Sequence, residues 1–222
     1  PLMELVAYFI GREIGRARAQ HRVDRRSFRE GWYHQMVRKM AQMSPPREGN
    51  GEEDIRTRRE RVYAEAAAQA RLQSGAGRVL LVASSDGGRS GRLVREDPAS
   101  AGRTEGNPIP LSDTYVGWVI RTGSQRLFSE PQGPPRNQDV LPGPWQVPGE
   151  RSYIVLPAEA PGGFRGAVVC AHTEERRFHR GDAEHVRDIV EVMQLGLSHV
   201  EHLETLTREA TTDGLTGLAN RK

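Results

Sequence analysis

Two near-continuous apolar runs, Ser152-Tyr-Ile-Val-Leu-Pro157 and Phe164-Arg-Gly-Ala-Val-Val-Cys-Ala171, restrict most what this chain can become. A strand with one face in water alternates apolar and polar residues, and neither run does so. Both are predicted to be central strands buried on both faces, joined as a hairpin by the turn at Pro161-Gly-Gly163. With 222 residues there is room for one core-bearing domain of ordinary size plus helical extensions. An apolar content of 36% and a mean hydropathy of −0.65 describe a water-soluble polypeptide.

Helical and turn signals surround that hairpin. Residues 1–43 read as a helical segment in which Phe28, Trp32, Met36 and Met40 recur at four-residue steps. Such a stripe suits packing against a partner helix or the next domain. Residues 44–53 form a linker containing the breaker cluster Ser44-Pro-Pro-Arg-Glu-Gly-Asn-Gly51. An Ala- and Arg-rich helix is predicted from its capping residue Asp54 to Gln73, ended by Gly75 and Gly77. Arg78–Ala83 is a short strand, Asp86–Gly91 is turn material, and Arg92–Arg95 returns as a second strand. A helix over Leu111–Arg121 carries Tyr115, Trp118 and Val119 and stops at Thr122-Gly123, before a short strand at Gln125–Phe128. Six prolines between Pro131 and Gly149 keep that loop out of a sheet interior, because proline has no N–H for the ladder. A loop of this length in a compact domain is a functional lid or a mobile segment.

The last helix, Asp182–Ala210, carries Val186, Val190, Met193, Leu197 and Val200 at steps of four, three, four and three. That is heptad spacing, which suits a two-stranded coiled coil and hence a homodimer; the alternative is a single amphipathic helix that covers its own domain's sheet over the first two turns, with pairing to a second copy expected beyond Leu197. After Val200 the apolar positions become Leu203, Leu206 and Ala210, so the rhythm shifts, and a shift of this kind permits two registers.

The order of these elements, with the local words Ile109-Pro-Leu, Gly117-Trp-Val-Ile-Arg-Thr-Gly123, Tyr153-Ile-Val-Leu-Pro157, Gly166-Ala-Val-Val169 and Phe178-x-x-x-Asp182, resembles a GAF domain over residues 54–205. The resemblance implies an α+β fold, an antiparallel sheet flanked by helices with a small-molecule pocket above it. To this the chain adds the N-terminal helical extension and the long C-terminal coiled-coil signalling helix. Residues 206–222 resemble a helix end followed by the opening of a GGDEF domain, the catalytic unit of diguanylate cyclases. Asp213, Leu215, Thr216, Gly217, Leu218, Asn220 and Arg221 match its opening motif. By that resemblance Asp213 and Arg221 pair to hold a turn into the catalytic fold, and Leu215 and Leu218 pack inward. The implied protein makes cyclic di-GMP from two GTP with magnesium, and both GTP and magnesium belong to the missing catalytic domain. The residues present are expected to be catalytically inert and to hold no cofactor of their own. A GAF pocket or the N-terminal helices would then bias the register of the coil at 186–210. Two other readings stay open: a ligandless scaffold for dimerisation, and a parent whose GGDEF domain is a nucleotide receptor.

For a ligand pocket the candidates are Asp113, Tyr115, Trp118 and Trp145, with Arg151 and Ser152 as further donors; aromatic walls with one polar anchor are the usual composition of such sites. The bland alternative is that these aromatics simply fill the core. Cyclic-nucleotide-binding GAF domains carry an Asn-Lys pair and Phe-x-x-x-Asp-Glu; here Phe178 and Asp182 fit but Ala183 replaces the glutamate, and Asp182 reads as a helix cap. Cys170 and His172 resemble a bilin-attachment pair only loosely, since Ala171 separates them and a lone strand cysteine is usually a small buried hydrophobe. As the single cysteine, Cys170 excludes an internal disulfide and a Cys-rich metal cage and fits a reducing cytoplasm. His172, His179 and His185 place no two ligands side by side on one helical face, and no metal is expected. Arg136-Asn-Gln-Asp139 resembles the inhibitory site of the cyclases but lies outside the domain that carries it.

Nucleic acid is not an expected partner, because the net charge is +3 and seven arginines are concentrated between Arg12 and Arg29. Leu2–Ile10 is too short to span a bilayer. An apolar end followed by arginines fits either the cytoplasmic exit of a membrane helix upstream of Pro1 or an amphipathic helix with a solvated arginine face. The expected location is the cytoplasm, with or without an inner-membrane tether.

Overall fold

The computed structural model describes residues 51–99, 107–128, 139–160 and 164–211, together with Gly31, Trp32 and His34. Among the described residues the helices α1 (Gly51–Ser74), α2 (Tyr115–Thr122) and α3 (Arg180–Thr211) accompany six strands. The strands are β1 (Arg78–Ala83), β2 (Ser90–Asp97), β3 (Ile109–Pro110), β4 (Arg126–Phe128), β5 (Ser152–Ala160) and β6 (Phe164–His172). All pair antiparallel in one sheet of order β3-β2-β1-β6-β5-β4. The two apolar runs are β5 and β6, and β6 lies beside β1 at the centre, as their lack of alternation requires.

Successive strand residues point to opposite faces, so one sheet builds two cores. Val79 and Leu81, Ile154 and Leu156, and Val168 and Cys170 face α1 and α3. Leu80 and Val82, Tyr153 and Val155, and Val169 and Ala171 face α2 and the 139–145 segment. The β1–β2 register slips between Leu81 and Val82, where Val94 and Arg95 together oppose Leu81. This bulge puts Leu93 and Glu96, three residues apart, on the same α2-side face.

Several boundaries differ from those expected. The first helix begins at Gly51, so 51–53 are not linker and Asp54 lies within the first turn instead of capping it. The second helix starts at Tyr115, not Leu111, because Thr114 takes extended backbone (φ −118, ψ 155) and its hydroxyl accepts the Gly117 N–H. Gly123 closes that helix in the left-handed region at φ 66. The last helix starts at Arg180, and Asp182 acts from inside it. Its carboxylate accepts the His179 N–H at 2.8 Å, the reciprocal half of a capping box. Strands β2 and β5 are each longer than expected, reaching Ser90–Asp97 and Ser152–Ala160.

The heptad on α3 packs on its own domain, the alternative reading for its first two turns, and it does so as far as Val200. Val186, Val190, Met193, Leu197 and Val200 are all 5% exposed or less within a single chain. They are covered by α1 and the sheet, not left for a second copy. Small residues on α1, Ala66, Ala67 and Ala70, let the two helices approach closely. The helices run antiparallel, with Arg59 bonded to Glu204 at 2.7 Å at one end and Gly75 beside Arg177 at the other. Leu203 is half-buried. Trp32, 4% exposed, joins the same core, so this residue of the N-terminal stripe packs against the domain that follows it, one of the two partners expected. Phe28, Met36 and Met40, the turn at 161–163 and the opening motif from Asp213 to Arg221 lie outside the described residues.

At concentrations where the chain is monomeric, Met193→Ala is expected to cost about 2–5 kcal/mol of unfolding free energy, by cavity formation. Leu195→Ala, on the exposed side of α3, is expected to cost under about 0.5 kcal/mol. Urea unfolding followed by far-UV circular dichroism compares them; equal costs would remove the intrachain assignment of the heptad.

Candidate functional site

The α2 side of the sheet carries the aromatics expected to wall a pocket, and this chain fills most of it. Helix α2 lies over β5 and β6, held close by two glycines. A Cβ on Gly117 would fall 2.0 Å from the Leu111 carbonyl, and one on Gly88 would fall 2.8 Å from the Gly117 carbonyl. Arg121 fastens the contact by donating to the Gly88 carbonyl at 2.9 Å and the Ser112 carbonyl at 3.2 Å. Beneath, the β1–β2 turn is organised by the exposed Asp86. Its carboxylate accepts from the Ser84 hydroxyl, the Arg89 and Ser90 amides and the Ser90 hydroxyl, bonds that hold it well below the usual carboxylate range.

The 139–150 segment closes the remaining side. The Asp139 and Val140 carbonyls accept the Tyr115 and Val116 N–H groups, so the first turn of α2 spends its free donors on this segment. Val140, Leu141 and Trp145 insert into the core at 4%, 1% and 2% exposure. The far end is tied by a buried ionic network that motif reading did not find. Arg78, 8% exposed on β1, donates from Nε and Nη2 to the two oxygens of Glu150, both at 2.7 Å. Its Nη1 reaches Glu96 at 2.9 Å, and Nη2 also reaches the Trp145 carbonyl at 2.9 Å. Burial opposes the Arg78 charge, but the bonds and charges of Glu150 and Glu96 outweigh it and its pKa moves up. The Tyr153 hydroxyl donates to the Glu150 carbonyl at 3.3 Å, and burial together with the Glu150 charge raises its pKa.

The structure brings only some of the expected pocket residues together. Tyr115 and Trp118 pack half-buried against the cluster that contains Trp145, so the three aromatics do share a face. Trp145 sits inside that core as filling. Trp118 carries Arg126 over its ring at 4.2 Å. Asp113 is exposed ahead of α2. Arg151 and Ser152 face elsewhere: Arg151 bonds Glu175 at 2.5 Å, while the buried Ser152 hydroxyl donates to the Glu174 carbonyl and accepts the Arg177 N–H. Both serve the turn from β6 into α3.

Cys170 faces α1 with no exposed surface, and burial, partly offset by a bond from Ser74, pushes its thiol from 9.0 up to about 12. That rules out easy attachment chemistry at this position. On the same side of the sheet a groove of about 400 Å³ has a floor of Leu156, Pro157 and Val190 and a rim of Gln125, Arg187 and Gln194. Among the described residues no three His, Cys, Asp or Glu side chains gather as a metal site, and no helix is long and apolar enough to cross a membrane.

The sequence matches the GAF domain family over residues 58–196, so the chain belongs to that family. The matched span lies within the 54–205 expected. Among solved structures, the GAF domain of a phosphoenolpyruvate-protein phosphotransferase from Coxiella burnetii is similar at 10% identity and a TM-score of 0.55, covering 78% of this chain and 95% of that one. The GAF domain of an Acinetobacter phosphoenolpyruvate-protein phosphotransferase aligns at 12% identity and 0.51, over 66% of this chain and 93% of that one. That of a two-component sensor histidine kinase from Bacillus halodurans aligns at 12% identity and 0.51, over 64% and 95%. No curated protein matches the sequence.

Removing the guanidinium in Arg78→Met leaves two buried carboxylates without their cation and is expected to cost about 3–5 kcal/mol in urea unfolding. The raised Cys170 thiol keeps its proton in the folded chain while the unfolded chain ionises. Its contribution is therefore present below about pH 9 and lost as pH rises from 9.0 toward 12. Cys170→Ala is expected to flatten that alkaline decline in a pH series of melting temperatures; an unchanged slope would assign the decline to other groups.

Proposed function

We propose that this chain is the regulatory, dimer-forming part of a diguanylate cyclase, a GAF module that controls a C-terminal GGDEF domain joining two GTP into cyclic di-GMP with magnesium. The observation that carries this reading is the continuity of α3. One unbroken helix runs from the sheet at Arg180 to Thr211, directly ahead of the segment in which Asp213, Leu215, Thr216, Gly217, Leu218, Asn220 and Arg221 match the GGDEF opening motif. A fold shared with a GAF domain from a sensor histidine kinase supports a signalling role. Such a cyclase works in the cytoplasm, where GTP is.

Two GTP molecules must meet across two facing catalytic domains, so the reading requires a dimer. With the heptad at 186–200 occupied by α1, the seam passes to the outer face of α3. Leu195, His199, His202 and Leu206 follow there at steps of four, three and four, with Leu195 53% and Leu206 47% exposed. Parallel pairing along this stripe sets two copies side by side and aims both chain ends at the same place. Whatever moves α1, α2 or the sheet then acts on the seam through α3, whose inner face they share.

A second reading, a ligandless GAF scaffold, is favoured by the filled core on the α2 side, where Val140, Leu141 and Trp145 occupy the space a ligand would use.

A longer protein extended past Lys222 is expected to make cyclic di-GMP from GTP and magnesium, at a rate that changes when residues 54–205 are removed. No synthesis from either form, measured by chromatography of the products, would leave the scaffold reading. Leu195→Glu with Leu206→Glu is expected to raise the dimer dissociation constant about a hundredfold or more, read by analytical ultracentrifugation, without lowering the melting temperature of the monomer.

A further inference from the structure

Between Leu195 and Leu206 the outer side of α3 changes character. One turn and two turns earlier that side carries Glu191 and Asp188. From Leu195 onward it is the stripe Leu195, His199, His202 and Leu206, and all four are exposed. The two acidic residues of this span, Glu201 and Glu204, stand to the side. Both are half-buried, and Glu204 is bonded to Arg59 of α1 at 2.7 Å. The positions that flank the stripe hold Gly196, Ser198, Leu203 and Thr205, so none of them is charged. The Ser198 and Thr205 hydroxyls bond back to the Gln194 and Glu201 carbonyls of their own helix. A solvated helix face is usually charged. A neutral one bounded by two exposed leucines at heptad spacing fits a second copy of the same helix.

Histidine at two successive seam positions is costly if it only packs, because a buried imidazole needs partners for its ring nitrogens. Residues three apart on a helix are neighbours, with Cβ atoms about 5–6 Å apart, so His199 and His202 lie one above the other along the seam. In a parallel pair each seam residue faces its own counterpart across the two-fold axis. Two His199 and two His202 side chains then surround one point. One chain offers two nitrogen donors, whereas structural zinc takes four in a tetrahedron, and imidazole is among its preferred ligands.

We propose that His199 and His202, with the same two residues of a second copy, form a four-imidazole site for a divalent late transition metal, zinc above all. Magnesium and calcium are disfavoured, because they take oxygen ligands. Each chain contributes half of the site, so metal binding and dimerisation are one linked equilibrium: the ion tightens the pair, and the pair tightens its hold on the ion. The ion also fixes the register of the two α3 helices shortly before they end at Thr211. This inference rests on the outer-face seam of the proposed dimer and adds the ligand that sets it.

Sedimentation equilibrium of the 222-residue chain, stripped with a chelator and then given zinc chloride, reads the dimer dissociation constant. Zinc at a hundred times its own dissociation constant is expected to lower it about a hundredfold, with one ion bound per dimer, and magnesium is expected to have no effect. The double variant His199→Ala with His202→Ala is expected to lose the zinc response and to keep the melting temperature of the monomer, since both side chains are exposed. His185→Ala, off the stripe, is expected to respond in full. A zinc response that survives in the double variant overturns the site, and so does one ion per chain with no change in association. A dimer that depends on Leu195 and Leu206 yet ignores zinc overturns the site and leaves the seam of the cyclase reading in place. A chain that stays monomeric with and without zinc removes the seam and the site together.

Discussion

One guanidinium decides how the α2 side of this domain is closed. Arg78 stands on β1, reaches Glu96 on β2, and holds Glu150 and the Trp145 carbonyl of the 139–150 segment. Each bond alone is modest, but the three charged groups are almost fully buried and each would be expensive without the others. The segment so anchored inserts Val140, Leu141 and Trp145 into the core and supplies the carbonyls that receive the first N–H groups of α2. Position of the helix, filling of the α2 side and path of the 139–150 segment therefore share a single electrostatic cause.

The opposite face follows a different logic, that of small residues. Alanines on α1 leave room for α3 to lie close, and α3 spends its heptad on α1 and the sheet. That gives α3 two working sides. Its inner face is taken up by the domain's own packing, while its outer face exposes Leu195 and Leu206. In the dimer proposed above, a helix so placed carries a change in the sheet to the seam without a separate linker.

What could be read in the residues depended on the kind of signal. Strands β5 and β6 were legible because burial on both faces removes alternation, and that loss is written in consecutive residues. Thr122-Gly123 marked the end of the second helix, although Thr114 moved its start by four residues from the expected Leu111, since a cap is a matter of backbone angle as much as residue type. The heptad on α3 was legible as a period and ambiguous as to partner, because a helix records only that something apolar covers it. Trp145 was ambiguous for a related reason: an aromatic in a proline-rich loop serves equally as pocket wall or as filling. The Arg78 network left no local mark at all. Its members are separated by 18 and 72 residues, and the bulge that turns Glu96 inward arises from strand pairing, not composition.

The sequence by itself determined the antiparallel central strands, the helices that cover them and the GAF family, because periodicity, turn residues and ordered words are properties of neighbouring residues. Only the tertiary structure decided which surfaces are spent and which are left. Burial depends on what the chain brings together over long separations. Arg78 and Glu150, or Met193 and the alanines of α1, acquire their roles only when the sheet has closed around them.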